Sequence, residues 1–341
     1  MDKKVSNFVM IILGLCFGLV FLVLIGFVAI QFFAMAQGQA LELAMPASTA
    51  TPAQLAEALP SVDESTSLQT AGECGMGGTM NVLAVGRILK KDGYAGDAGV
   101  IRLVKADFDQ EEVLVFALPP DLVVATPHLK DTYGVTSARI GSIYTLIAKA
   151  KGGNANVDFE ATQAIAQAIL DNFGVTVDRY VTVKRDVVMQ AVDALGGVEI
   201  EVPADFAAQS GLTNQQVSLQ AGKYLVTSEA LQAYASQRGS VKEEWLRMAR
   251  QDVILEGLCE KVKDPVVLAR VPQLFTKFQS ALVTDLTLAE VVSLSCLAKN
   301  APEEVMETLD PATLTVQDDG TIWANDYLAA RTVVQNLFLD Q

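Results

Sequence analysis

The longest apolar run in the chain lies near its start. Between Phe8 and Ala34 there is no Asp, Glu, Lys or Arg. A helix needs about 20 apolar residues to cross a bilayer, and the apolar core of a cleaved signal peptide is usually only about 7–15 residues long. The pattern predicts a transmembrane helix over residues 8–36. A cleaved signal peptide is the alternative, since Ala34 and Ala36 form a weak cleavage pattern.

The charges around this run predict its orientation. Lys3 and Lys4 precede it, and no further Lys or Arg occurs before Arg87. Positively charged flanks of a transmembrane helix stay in the cytoplasm. We therefore expect a single-pass protein of the cell membrane, with residues 1–7 in the cytoplasm and the remainder outside.

Residues 37–78 are rich in Ala, Ser, Thr, Pro and Gln and have no sustained apolar period. Such a composition is typical of a linker, and we interpret it as an extracytoplasmic stalk. Ordered structure is predicted from residue 79 to residue 341. Short apolar runs over residues 80–85, 100–104 and 113–118 are bounded by Gly, Asp or Pro, which is typical of buried strands.

The remaining pattern alternates between strands and helices. In residues 159–173, Ile165, Ile169 and Phe173 fall on one face of a helix that Gly174 would end. Further strands are predicted over residues 180–183 and 198–202, and further helices over 186–195, 228–236 and 242–262. From residue 265 onward the chain is predicted to be mostly helical, with a short strand near residues 321–323. This order predicts an α/β fold, a three-layer-type sandwich in which helices flank a central mixed β-sheet.

Composition and charge argue against two kinds of binding site. The formal charge of −15 and the pI of about 4.5 argue against a nucleic-acid partner, because phosphate contacts need a basic face. His128 is the single histidine and no CxxC motif occurs, which argues against a zinc site. Cys259 and Cys296 are candidates for a disulfide, a bond that persists outside the cell.

A series of short motifs occurs along the predicted domain. The sharpest is VDALGGVEI at residues 192–200, in which a helix ends at two glycines and a strand follows. The others are NVLAVG at 81–86, FALPPD at 116–121, RIGSIY at 139–144, LQAG at 219–222, ALQAYA at 230–235, RMARQ at 247–251 and TDLT at 284–287. Together, and in this order, they resemble the LytR-CpsA-Psr family of cell-envelope proteins.

The resemblance implies a ligand and a reaction. Members of the family bind a glycopolymer linked to a polyprenyl pyrophosphate and transfer it to peptidoglycan or another envelope acceptor. The polyprenyl tail lies in an apolar tunnel, arginines hold the pyrophosphate, and carboxylates hold magnesium. Phosphoryl transfer depends on positioning and charge neutralisation, for which the planar guanidinium group is suited. We therefore expect a polyprenyl-(pyro)phosphate lipid or glycopolymer as the partner.

Part of the family's site is retained. Arg238 matches the second arginine of a Tyr-Ala-Arg-x-Arg motif, whose first arginine is replaced by Ser236. Arg247, Arg250 and Gln251 match an Arg-x-x-Arg-Gln motif. The resemblance implies that Arg238, Arg247 and Gln251 are the catalytic residues, and that Arg238, Arg247 and Arg250 bind phosphate.

Other parts of the site are replaced. The family's Gly-x-Asp motif ends here in Ile88, its Arg-Ser-Asp-Thr motif has Gly99 in place of the aspartate, and its Pro-Arg-Asp motif has Pro120 in place of the arginine. Both carboxylates for magnesium are therefore missing. We assign no metal ligand and expect magnesium binding to be weak or absent.

Two functional classes stay open. One is a membrane-anchored glycopolymer transferase with an altered site, and the other is a non-catalytic lipid-binding or scaffold protein of the same fold. Arg87 and Arg102 lie near the replaced positions, as do Asp92 and Asp97. These four residues are either compensation for the losses or ordinary surface charges.

Overall fold

The computed structural model of this chain describes residues 73–89, 95–152, 157–211, 213–238, 243–302 and 304–339. The predicted transmembrane helix over residues 8–36 and most of the predicted stalk lie outside these ranges. In the part of the chain that is described, no helix is both long and apolar enough to cross a bilayer.

The described residues form strands and helices that alternate along the chain. The strands are β1 (Thr79–Leu89), β2 (Ala95–Asp107), β3 (Glu112–Ala117), β4 (Val123–Ala125), β5 (Ser137–Arg139), β6 (Arg179–Lys184), β7 (Val198–Val202), β8 (Phe206–Gln209), β9 (Gln216–Leu219), β10 (Gly222–Val226), β11 (Leu282–Thr284), β12 (Glu304–Thr308), β13 (Leu314–Val316) and β14 (Ile322–Ala324). The α-helices are α1 (Lys130–Tyr133), α2 (Ile143–Ala150), α3 (Asp158–Phe173), α4 (Arg185–Ala194), α5 (Ser228–Ser236), α6 (Glu244–Lys263), α7 (Pro265–Leu268), α8 (Val271–Phe278), α9 (Leu288–Asn300) and α10 (Tyr327–Phe338).

The central sheet has six strands in the order β11-β6-β1-β2-β3-β12. The strands β1, β2 and β3 form an antiparallel meander. The pairs β1 with β6 and β3 with β12 are parallel, whereas β11 is antiparallel to β6. The predicted mixed sheet is therefore confirmed.

Side chains alternate between the two faces of this sheet, as the period of a strand requires. On one face, Leu83 and Leu103 are fully buried against α2, α3 and α10. On the opposite face, Val82 and Val115 belong to a second cluster that includes Leu297 of α9. The sheet thus lies between two layers of helices, which confirms the predicted sandwich.

Most elements occur where the sequence pattern predicts them. The helix α5 has the predicted bounds, and α3 ends at Gly174, whose φ of 73° gives the left-handed cap that glycine favours. The C-terminal part holds more strands than the single one predicted. The strands β11 and β12 form the two edges of the central sheet. They are short and neither contains a fully buried residue, so no alternation of buried and exposed residues indicated them.

The candidate disulfide between Cys259 and Cys296 is not the one that the structure contains. Cys296 on α9 forms a disulfide with Cys74, at a Cα–Cα distance of 5.5 Å, and Cys259 is a free thiol. Cys259 lies on α6 and faces a cavity, whereas the segment that enters β1 brings Cys74 beside α9. The disulfide thus fixes residues 73–78, which composition places in the stalk, to α9 of the folded domain.

Candidate functional site

A cavity of about 510 Å³ lies between the central sheet and the helices α4, α5, α6 and α9. Most of its wall is aliphatic because the strands present valine on this face and the helices present leucine. Representative wall residues are Val82, Val104 and Val115 from the sheet and Leu255, Leu294 and Leu297 from the helices. The thiol of Cys259 also lines the cavity, and burial raises its pKa to about 12.

One end of the cavity is polar. Arg87, Arg102, Arg185, Arg247 and Gln251 belong to its wall, together with Ser236. The register of β1 and β2 locates Arg102, since Gly86 lies opposite Val100, Ala84 opposite Arg102, and Val82 opposite Val104. Arg102 therefore lies on the same sheet face as Val82 and Val104, whereas Arg87 is on the face of Leu83, where it pairs with Asp158 of α3.

A β-bulge shapes this polar end. Gly86 pairs with Val100 but Arg87 pairs with Ala98, so Gly99 is an extra residue in β2. Such bulges redirect side chains and release backbone groups from the ladder. The carbonyl oxygen of Gly99 accepts a hydrogen bond from Nη1 of Arg247 at 2.8 Å. The bulge thus links the sheet to α6 through a residue of the retained motif.

Arg247 belongs to a chain of ion pairs centred on Glu244, whose side chain is fully buried. Nε of Arg247 donates to Oε2 of Glu244 at 3.0 Å, and Nη2 donates to Oε1. Nε of Arg238 lies 3.2 Å from the same Oε2, and Nη2 of Arg238 binds Asp121. Glu244 therefore connects two of the predicted site residues. Sequence reasoning missed it, although an acid three residues before Arg247 on one helix face is a recognisable signal.

Arg102 attaches α6 to the centre of the sheet. Its side chain is 2% exposed, and its Nη2 lies 2.9 Å from Oδ1 of Asp252 and 3.2 Å from Oε1 of Gln251. Burial lowers the pKa of Arg102, and the carboxylate of Asp252 opposes this effect. Burial likewise raises the pKa of Asp252, and Arg102 opposes it. Gln251, predicted from the motif, is held in place by this contact.

Arg87 is also 2% exposed. Its Nε lies 2.8 Å from Oδ1 of Asp158, the first residue of α3. The N–H does not point along this line, so the contact is an ion pair without a hydrogen bond, and Nη1 has no hydrogen-bond partner in the described structure. Burial raises the pKa of Asp158, while Arg87 lowers it. The interpretation of Arg87 and Arg102 as surface charges is wrong.

The other two predicted arginines have different surroundings. Nε of Arg250 donates to the carbonyl oxygen of Tyr234 at 2.8 Å, and its guanidinium lies 5.5 Å from the ring centre of Phe206. Within the described ranges, the cavity wall includes Arg247 and Gln251 but neither Arg238 nor Arg250. The structure thus brings Arg247 and Gln251 together with Arg102, and gives Arg250 contacts between α5 and α6.

Comparison with known proteins gives the family. The sequence profile of the LytR_cpsA_psr family matches residues 47–337. The chain belongs to this family. It is 24% identical over 143 residues to the polyisoprenyl-teichoic acid–peptidoglycan teichoic acid transferase TagV of Bacillus subtilis, a match that covers 41% of the chain and 37% of TagV. The matched part is therefore little more than a third of that relative's length.

Solved structures of the family have the same fold. The crystal structure of B. subtilis TagV superposes with a TM-score of 0.59 at 19% identity, over 76% of this chain and 96% of TagV. A structure of TagT bound to LIIa-WTA gives a TM-score of 0.56 at 18% identity, over 76% of this chain and 91% of TagT. Both support a central mixed sheet between helices as the family fold.

The magnesium ion that the family implies does not fit the residues around the bulge. Gly99 has no side chain, and its carbonyl oxygen is occupied by Arg247. Asp97 is exposed and accepts a hydrogen bond from Thr145. Asp92 lies outside the described residues. The described ranges contain no group of three or more His, Cys, Asp or Glu side chains arranged to hold a metal, whereas magnesium prefers carboxylate oxygens.

Proposed function

We propose that this chain is a membrane-anchored LytR-CpsA-Psr protein of cell-envelope biogenesis that binds a glycopolymer linked to a polyprenyl (pyro)phosphate. The observation that carries the proposal is the cavity, which is aliphatic along the sheet and bears guanidinium groups at one end. A polyprenyl phosphate has the same division, with a long hydrocarbon chain and an anionic head group. The lipid would place its chain among the valines and leucines and its phosphate beside Arg102 and Arg247.

The energetics favour such a ligand. Each CH₂ group transferred from water into an apolar cavity contributes about 0.8 kcal/mol, so even part of a polyprenyl chain would bind strongly. Arginine binds phosphate oxygens through charge-assisted hydrogen bonds with a planar geometry. The name of TagV describes a polyisoprenyl-linked substrate, and TagT has been solved with LIIa-WTA. These relatives support a lipid-linked glycopolymer as the ligand class.

Membrane anchoring and an extracytoplasmic domain are part of the proposal. The apolar run over residues 8–36 and the lysines Lys3 and Lys4 support them. The Cys74–Cys296 disulfide adds support, since disulfides persist in oxidising compartments. Protease added to intact protoplasts should digest the domain while a cytoplasmic marker stays whole, and protection of the domain would contradict this topology.

Two chemical outcomes follow from the same binding site. One is transfer of the glycopolymer to peptidoglycan or another envelope acceptor, which the family supports. The other is binding without transfer, which is supported by Gly99 in place of a magnesium carboxylate. We expect little turnover of a polyprenyl-pyrophosphate substrate, with or without magnesium. Magnesium-dependent turnover well above the uncatalysed reaction would assign the chain to the transferases.

The binding proposal is tested by obstructing the cavity. Ala298 lines it, and Ala298→Trp would fill space that the lipid needs. The matched control is Ala329→Trp, because Ala329 is exposed on α10. Full-length protein in detergent would be incubated with polyprenyl phosphate, and bound lipid would be counted by native mass spectrometry.

We expect a lipid adduct on the wild type and on Ala329→Trp, and a strongly reduced adduct on Ala298→Trp. Thermal unfolding of both variants would establish that each is folded. A wild type without an adduct, or equal adducts on folded Ala298→Trp, would refute binding in the cavity.

A further inference from the structure

The aliphatic part of the cavity stops at a definite position along the sheet. On β2, Arg102, Val104 and Ala106 belong to the cavity wall and lie on one face of the sheet. Phe108 continues this series and belongs to the same hydrophobic cluster as Ala106, but within the described ranges it is not part of the wall. Phe108 is 5% exposed, so its ring is packed into the protein. The cavity therefore ends at Phe108.

Two neighbouring elements end the cavity at the same level. Met80 of β1 pairs with Ala106, is buried in the same cluster and does not line the cavity in the described structure. Ala301 follows α9 one turn beyond the wall residue Leu297 and is likewise buried in this cluster. We call Met80, Phe108 and Ala301 the end wall of the cavity.

Residues 73–78 pack against the end wall and are fixed there. Cys74 contacts the cluster to which the end wall belongs, and the disulfide joins it to Cys296 of α9. The backbone N–H of Phe108 donates to the carbonyl oxygen of Gly78 at 3.0 Å. A hydrocarbon chain that extended past Phe108 would have to displace a segment that a covalent bond and a backbone hydrogen bond hold in place.

The depth of the cavity corresponds to a short hydrocarbon chain. Ala106 lies four residues after Arg102, which is about 13 Å along the strand. An extended chain gains about 1.2 Å per bond, as the protein backbone does, so an isoprene unit with its four bonds along the chain spans about 5 Å. A prenyl group whose phosphate lies beside Arg102 therefore reaches the end wall with about its third isoprene unit.

We infer that Phe108, together with Met80 and Ala301, sets the chain-length selectivity of the cavity, so that only about the first three isoprene units of the lipid contribute to binding. The inference rests on the proposed function, because it concerns the hydrocarbon chain of that ligand. Each unit that enters the cavity should tighten binding by at least about 10-fold. Further units find no room there, bury no additional apolar surface and stay outside.

The test lengthens and shortens the cavity by one aromatic ring. Phe108→Ala removes a ring from the end wall, and Ala106→Phe places a ring in front of it. Ala207→Phe is the matched control, because Ala207 is exposed on β8 and is not part of the cavity wall. Full-length protein in detergent would be titrated with prenyl phosphates of one to six isoprene units. The ratio of the variant Kd to the wild-type Kd at each length cancels the partition of the ligand into detergent.

The two variants should change the Kd at different chain lengths. For Ala106→Phe, the Kd should equal the wild-type value up to two units and be at least about 10-fold higher at three. For Phe108→Ala, it should equal the wild-type value up to three units and be about 10-fold lower at four. The ratio for Ala207→Phe should stay near one at every length.

Thermal unfolding would establish which variants are folded. Removal of a buried ring is costly, so if Phe108→Ala does not fold, Ala106→Phe decides, since its ring enters space that the cavity already provides. Ratios that do not change with chain length in a folded Ala106→Phe would overturn the inference and leave lipid binding intact. Absence of binding by the wild type at every length would refute the proposed function and the inference with it.

Discussion

Glu244 and Arg247 lie one turn apart on α6 and form a buried ion pair in which the carboxylate accepts from both Nε and Nη2 of the guanidinium. The pair directs the third nitrogen of Arg247, Nη1, to the carbonyl oxygen of Gly99 in the β2 bulge. The orientation of a motif arginine is therefore set by a carboxylate on its own helix and by a backbone group of the sheet.

Removal of the Glu244 charge should destabilise the fold. Glu244→Gln leaves the 8% exposed Arg247 without its anion, and breaking a buried ion pair from one side costs about 3–5 kcal/mol. Urea unfolding should show a loss of about this size. Glu199→Gln, at an exposed position of β7, should have little effect. Equal stability of Glu244→Gln and wild type would mean that the ion pair contributes nothing to the free energy of unfolding.

The Cys74–Cys296 bond should be found chemically. Alkylation before reduction, followed by digestion, should give the Cys74 peptide linked to the Cys296 peptide, with Cys259 alkylated. The double variant Cys74→Ala with Cys296→Ala should be less stable by about 4 kcal/mol, because the bond restricts a long loop of the unfolded chain. Cys259→Ala should keep the linkage. A linked peptide that contains Cys259 would contradict the structure.

Gly257 on α6 should not tolerate alanine. A Cβ atom there would collide with the carbonyl oxygen of Glu199 and lie 2.8 Å from Cγ1 of Val198. Overpacking of this kind costs about 1–3 kcal/mol, which exceeds the roughly 1 kcal/mol that alanine gains over glycine in a helix. Gly257→Ala should therefore lower the free energy of unfolding by up to about 2 kcal/mol.

Ala249→Gly, at an exposed position of the same helix, measures the helix-propensity effect alone. It should cost about 1 kcal/mol. Urea unfolding of both variants separates the two effects. A more stable Gly257→Ala would show that α6 is free to move away from β7.

Cys259 should make stability fall at high pH. Its pKa is raised to about 12 by burial, whereas an unfolded cysteine has a pKa of about 8.5. Between these values the unfolded chain releases the thiol proton and the folded chain keeps it, so stability decreases as pH rises. Cys259→Ala should remove up to about 1.4 kcal/mol per pH unit of this decrease. The stability that Cys259→Ala loses through packing is measured from unfolding curves at neutral pH and subtracted. If the stability of variant and wild type then changed with pH in parallel, the raised pKa of Cys259 would be contradicted.

The sequence by itself determined the features that contiguous residues encode. Valine-rich runs bounded by Gly, Asp or Pro predicted β1, β2 and β3, and the spacing of Ile165, Ile169 and Phe173 predicted α3, because burial on one face leaves a local period. The ordered motifs predicted the family, and Arg247 and Gln251 were located from one of them. The uncharged run before residue 36 likewise predicts the membrane anchor from local composition alone.

Only the tertiary structure decided the features that join distant residues. The edge strand β12 pairs with β3 across a sequence separation of 191 residues (Val113 with Glu304), and Cys74 meets Cys296 across a separation of 222 residues. Arg87 and Arg102 are charged residues that any local pattern places at the surface. They are buried because Asp158 and Asp252 arrive from other elements to neutralise them, and a charge is buried at tolerable cost only when such a partner is present.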